Sequence, residues 1–67
     1  MRILGIDPGY ATVGYGIIEN DNGKLRPIGY GAIETPTSLS TAERLILIEK
    51  RTTELVLDVT PDEIAIE

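Results

Sequence analysis

The chain is 67 residues long, carries a net charge of −5, is 42% apolar, and contains neither cysteine nor histidine. That length holds at most one small domain with a marginal core, and the apolar content argues against disorder. Disulfide scaffolds, thiolate zinc sites and histidine catalysis are excluded, so any metal here is held by carboxylates and is a hard ion such as magnesium or manganese.

Residues 2–7 read as a first strand: Ile3, Leu4 and Ile6 call for burial, and the run ends on Asp7. Residues 13–19 read as a second strand. Asn20-Asp21-Asn22-Gly23 is a hairpin turn, and residues 25–34 form a third strand antiparallel to the second. Pro27 has no N–H to donate, which suits an edge strand or a bulge. Pro36 to Leu39 breaks the strand pattern, and Ser40 with Glu43 forms a capping box that opens a helix. Leu45, Ile48, Thr52, Leu55, Val56 and Val59 recur at helical spacing as a buried stripe, Ile46 and Leu47 either widen it or lie on a second contact, and Thr60-Pro61 stops the helix. Residues 62–67 form a last strand, most simply placed parallel to the first by a crossover. The order is βββαβ in a single α/β unit over residues 1–67, without repeats or linkers.

No apolar run approaches the roughly 18 residues of a membrane span. The N-terminus enters strand sequence without an apolar leader, so a cytoplasmic protein is expected. Residues 1–34 carry three bases and four acids, and residues 35–67 three bases and seven acids. The chain alone therefore lacks the basic footprint of a nucleic-acid binder. Glu43, Glu49, Glu54 and Asp58 read as a solvated helix face.

An acid closing a buried strand needs a cation, a hydrogen-bonding turn or a metal. The last strand repeats the pattern: Leu-Gly-Ile-Asp7 closes the first, Ile-Ala-Ile-Glu67 the last. If these strands are parallel neighbours, alternation puts Leu4, Ile6, Ile64 and Ile66 on the helix side. Gly5, Asp7, Ala65 and Glu67 then share the other side, about 5 Å apart across the pair. Two like charges so close need neutralising, and paired acids at strand ends are a way to build a phosphodiester-cleaving metal site. On the residues alone, a turn starter at Asp7 and a solvated end at Glu67 remain open beside that reading. Gly14 and Gly16 alternate in the second strand, Gly29 and Gly31 in the third. The expectation is that all four lie on the Asp7 side as a bare floor for a phosphate backbone, or else admit tight packing. Tyr15 and Tyr30, opposite in phase, are then expected to be packing residues.

Ile3-Leu4-Gly5-Ile6-Asp7-Pro8-Gly9, Gly14-Tyr15-Gly16, Pro61-Asp62 and Ala65-Ile66-Glu67 together resemble the N-terminal part of the RuvC family, crossover junction endodeoxyribonucleases that resolve Holliday junctions. The resemblance implies a ribonuclease H-like mixed sheet, of which the chain holds only the N-terminal βββαβ portion. It implies a catalytic cluster of four acids binding two magnesium or manganese ions, with Asp7 and Glu67 as two of them. The other two acids, the basic residues and the dimerising helix would belong to a later half that the sequence does not contain. It further implies a four-way DNA junction as substrate, a homodimer, and branch-migration motor proteins as partners. Many relatives have a hydroxyl residue before Gly-Tyr-Gly, where this chain has Val13. Asp7-x-Gly9 followed by Gly14 also resembles the phosphate loop of actin- and sugar-kinase-like ATPases, where Glu67 has no role. A non-catalytic ribonuclease H-like interaction module is the third alternative.

Overall fold

The computed structural model describes residues 1–9 and 12–67. Its elements are β1 (Arg2–Pro8), β2 (Thr12–Asp21), β3 (Lys24–Glu34), α1 (Thr41–Val59) and β4 (Glu63–Ile66). They form one mixed sheet in the order β3-β2-β1-β4, with β1 antiparallel to β2 and parallel to β4. The expected βββαβ order and the crossover are both present. Among the described residues, no helix is long and apolar enough to cross a membrane.

Local chemistry explains each junction. Asn22 and Gly23 both adopt positive φ, 55° and 86°, between the paired Asp21 and Lys24. That is the two-residue hairpin whose twist matches its strands. The Asn20 side chain accepts from the Gly23 N–H at 2.9 Å. After β1, the Gly9 N–H donates to the Thr12 carbonyl at 2.9 Å, and a Cβ on Gly9 would sit 2.5 Å from that same oxygen. Only glycine permits this backbone approach.

Ser40 caps α1 in both directions: its hydroxyl accepts from the Glu43 N–H at 3.2 Å, and the Glu43 carboxylate accepts from the Ser40 N–H at 3.1 Å. These hydrogen bonds to Ser40 hold the Glu43 carboxyl below its ordinary value. Thr60 ends the helix in the left-handed region, φ 47°, its N–H donating to Val56.

The core is narrower than the helical stripe suggested. Leu4 is fully enclosed, and Val13, Val59 and Thr35 are the other buried residues described. Ile48, Thr52, Leu55 and Val56 are half-buried, while Leu45 is 61% exposed. Ile64 and Ile66 are exposed as well. The cause is where the helix lies. Its Ile48 and Leu55 line clefts with Val13 of β2 and with Tyr15 and Ile33, so α1 leans over β2 and β3 and leaves the β4 margin uncovered.

The β2–β3 register carries a second correction. From the turn to Ile18↔Pro27 the pairing is regular, but the next pair is Ile17↔Gly29. Ile28 is an extra residue, a bulge beside the proline that cannot donate. One inserted residue flips every later side chain of β3 to the other face. Gly29 and Gly31 therefore face the helix, not the Asp7 side, and Tyr30 faces the Asp7 side, 92% exposed. Gly31 lies opposite Tyr15, whose ring occupies the space a side chain there would need.

The far end of the sheet is closed by Arg2 and Asp62. The Arg2 N–H donates to the Asp62 carboxylate at 2.7 Å, and the Asp62 N–H donates to the Arg2 carbonyl at 2.8 Å. The Arg2 guanidinium donates to the Val59 carbonyl at 2.9 Å. The last turn of α1 has no basic residue of its own, so Arg2 supplies the cation that its dipole favours there. Glu19, paired with Arg2 across β1 and β2, adds a looser ion pair at 3.8 Å.

Candidate metal centre

Parallel pairing of β1 with β4 runs Ile3↔Glu63, Leu4↔Ile64, Gly5↔Ala65 and Ile6↔Ile66. The Glu67 N–H continues it by donating to the Ile6 carbonyl at 3.1 Å. Asp7 and Glu67 are thus the next residues out on adjacent strands, whose spacing is about 4.8 Å. Alternation along β1 and β4 puts both on the face away from α1. On its other side Asp7 is paired with Gly14, and Gly5 lies between Gly16 and Ala65. Gly5, Asp7, Gly14, Gly16, Ala65 and Glu67 line one cleft of about 420 Å³. The expected pair of acids above a floor nearly free of side chains is therefore present in this geometry.

Both acids are exposed. Ion pairs among the described residues join Met1 and Arg2 to Glu19, and Arg26 to Asp21, leaving Asp7 and Glu67 without a cationic partner among those residues. No group of three or more acids able to hold a metal occurs among the described residues, so the two carboxylates stand as a pair. Their chemistry is that of hard oxygen donors at the ends of two paired strands, open to solvent on one side. A Cβ added at Gly16 would meet nothing within 4 Å, and one at Gly14 would only touch the Asp7 carbonyl. Among the described residues, packing does not require these two glycines. Their effect is to keep the floor beside Asp7 open.

Tyr30, like Gly29 and Gly31, lies on the face opposite to the one expected from alternation. It lies opposite Gly16, at the rim of the same face, and the signal for it was Pro27, which marked the bulge that turns it there. A different cleft, between α1 and β3, gathers Arg51, Glu54 and Asp58 near Tyr15 and lies on the opposite face from the acid pair.

Comparison with known proteins shows the family to which this sequence and fold belong. A sequence model of the family described as crossover junction endodeoxyribonuclease RuvC matches residues 3–67. The chain is 48% identical over all 67 residues to the crossover junction endodeoxyribonuclease RuvC of Alkaliphilus metalliredigens and covers 41% of that relative. It thus spans about two fifths of the length of such relatives. Among solved structures, Thermus thermophilus RuvC in complex with a Holliday junction substrate matches 98% of the chain and 42% of its own length. The TM-score is 0.85 at 27% identity. That likeness makes the fold ribonuclease H-like. The Aquifex aeolicus PPX-GPPA enzyme also matches, with a TM-score of 0.74 over 98% of the chain and 25% of its own, but at 22% identity it shows the fold alone. Matched along nearly its whole length in sequence and in fold, the chain belongs to the RuvC family of crossover junction endodeoxyribonucleases.

Proposed function

We propose that residues 1–67 are the N-terminal part of a nuclease domain that resolves four-way DNA junctions by phosphodiester hydrolysis, with Asp7 and Glu67 as two of its metal-holding acids. The observation that carries this reading is the Ile6↔Ile66 pairing, which sets the two acids side by side over a bare floor. It supports the nuclease over an ATPase because a phosphate loop gives Glu67 no task.

The donor set fits a hard divalent cation: two exposed carboxylates with no competing cation among the described ion pairs. Asp7 and Glu67 would hold it, and magnesium or manganese, when bound, supplies charge neutralisation and an activated water for in-line attack at phosphorus. The chain's own contribution is positional. β1 and β4 present the carboxylates in one row, and Gly14 and Gly16 leave room for a phosphodiester backbone to reach them. Two ions need more ligands than one pair, so two further acids belong to the remaining length of a family-size chain. The basic surface for junction binding belongs there too, since this part is acidic and phosphate contacts dominate DNA affinity. The homodimer and the coupling to branch-migration motors are likewise properties of the longer protein.

The test is a family-length protein that begins with this sequence, incubated with four-way DNA, magnesium and, separately, ATP. Magnesium-dependent strand cleavage without ATP turnover is expected. ATP turnover without cleavage would replace the proposal with the ATPase reading, and neither activity with an interaction module.

A further inference from the structure

The site sits at one end of the β1–β4 pair, and what fixes the alignment of that pair sits at the other. β4 has four residues, and both of its large apolar side chains, Ile64 and Ile66, are exposed. Alternation says which face they take, but a slip of two residues keeps the same faces. Hydrophobic burial therefore distinguishes poorly between the observed register and registers displaced by two. A displacement of two moves Glu67 by about 6.6 Å along the sheet and out of the row it shares with Asp7.

The groups that do distinguish these registers are Arg2 and Asp62. Asp62 is held from two sides by one residue: its carboxylate accepts from the Arg2 N–H, and its own N–H donates to the Arg2 carbonyl. The Arg2 guanidinium simultaneously holds the Val59 carbonyl, fixing the helix end from which β4 departs after only Thr60, Pro61 and Asp62. Any slip of β4 breaks both hydrogen bonds to Asp62. Resting on the metal reading given above, we propose that Asp62 is a positioning residue for the site. Clamped by Arg2 just before β4, it sets the β1–β4 register and so brings Glu67, five residues further along the chain, level with Asp7.

The experiment uses the isotope-labelled 67-residue chain and manganese as the probe ion. Hydrogen exchange of the Glu67 amide reads the register, because that amide is bonded to Ile6. Paramagnetic broadening at Asp7 and Glu67 reads ion binding. Asp62→Ala is expected to lose protection at Glu67 and to weaken manganese binding by roughly tenfold or more, the usual effect of removing a group that orients a ligand. Asp62→Asn, which keeps an oxygen acceptor for the Arg2 N–H, should retain both. A disulfide between Ile3→Cys and Glu63→Cys, which replace paired residues away from the cleft, should restore both in the Asp62→Ala background. The cross-linked chain decides the matter even where Asp62→Ala alone does not fold. Native protection at Glu67 in Asp62→Ala, or failure of the cross-link to restore it, overturns the clamp. Broadening that spares both acids in the parent chain overturns the metal reading instead, while the exchange data still decide the register.

Discussion

Gly31 lies directly opposite Tyr15, and a Cβ on Gly31 would fall 2.5 Å from the tyrosine hydroxyl and 2.7 Å from the ring carbon that bears it. Gly29, on the same face two residues earlier, has nothing within 4 Å of its own virtual Cβ. The two glycines look alike in sequence and differ in what they do. Gly31→Ala should destabilise the chain by about 1–3 kcal/mol as the ring is displaced. Gly29→Ala should stabilise it by about 0.4–1 kcal/mol by restricting the unfolded chain. Denaturant melts of the two variants check the contrast, and equal shifts would mean that Tyr15 does not occupy the place described.

That pair also shows where sequence reasoning stopped. Continuing the hairpin register from its two-residue turn would set Gly29 opposite Gly16 and Gly31 opposite Gly14, all on the Asp7 face. Local signals were sufficient for the turn, the capping box, the helix stop and the parallel placement of the last strand, because each depends on a few adjacent residues or on a chain-crossing rule. Pro27 announced a bulge or an edge, but whether a residue was inserted depends on pairing with β2. That single residue, Ile28, decides the face of Tyr30. The Asp7–Glu67 pair was legible because β1 and β4 carry no bulge among their paired residues, so alternation holds along both. The tilt of the helix toward β3 has no sequence signature, and with it went the burial of Leu45, Ile64 and Ile66.

The energetic centre is Leu4, the one large side chain fully enclosed among the described residues. Leu4→Ala should cost about 2–5 kcal/mol, comparable to the whole stability of a domain this small. Leu45→Ala, at 61% exposure, should stay within about 1 kcal/mol. Leu55→Ala, half-buried, should fall between them. Thermal melts rank the three, and a Leu45 effect as large as that of Leu4 would contradict the position of α1.

The capping box gives a pH dependence with a definite sign. The Glu43 carboxyl lies below its ordinary 4.5 because it accepts from Ser40. Its folded pKa is lowered, so its contribution is present above the ordinary value and is lost as pH falls through the folded one. Ser40→Ala removes the hydroxyl but keeps the Ser40 N–H, the larger cause, so it should move the Glu43 titration only part of the way back toward the ordinary value, whereas Glu43→Gln should flatten helix stability over that acidic range. Carbon-detected NMR titration of Glu43 measures the shift, and a parent Glu43 that titrates at the ordinary value would mean that the box is not formed in solution.

Among the described residues, both outer strands have an unpaired edge: β3 on one side, β4 with exposed Ile64 and Ile66 on the other. Open edges invite pairing with a second chain. The 67-residue chain should therefore self-associate through strand addition or exchange of β4. Sedimentation across a concentration series is expected to show dimers or larger species, and a monomer at high concentration would exclude it.

The most direct test of the central claim separates cutting from binding in a family-length protein that begins with this sequence. Asp7→Asn and Glu67→Gln preserve size and hydrogen bonding but remove the charge that holds a divalent ion. Each should abolish magnesium-dependent cleavage of a four-way DNA junction while leaving junction affinity largely unchanged, since that affinity comes from phosphate contacts elsewhere. The 67-residue chain alone, with one pair of acids, should not cleave. Full cleavage by either variant, or cleavage by the short chain, would contradict the assignment of Asp7 and Glu67 as a pair of metal-holding acids.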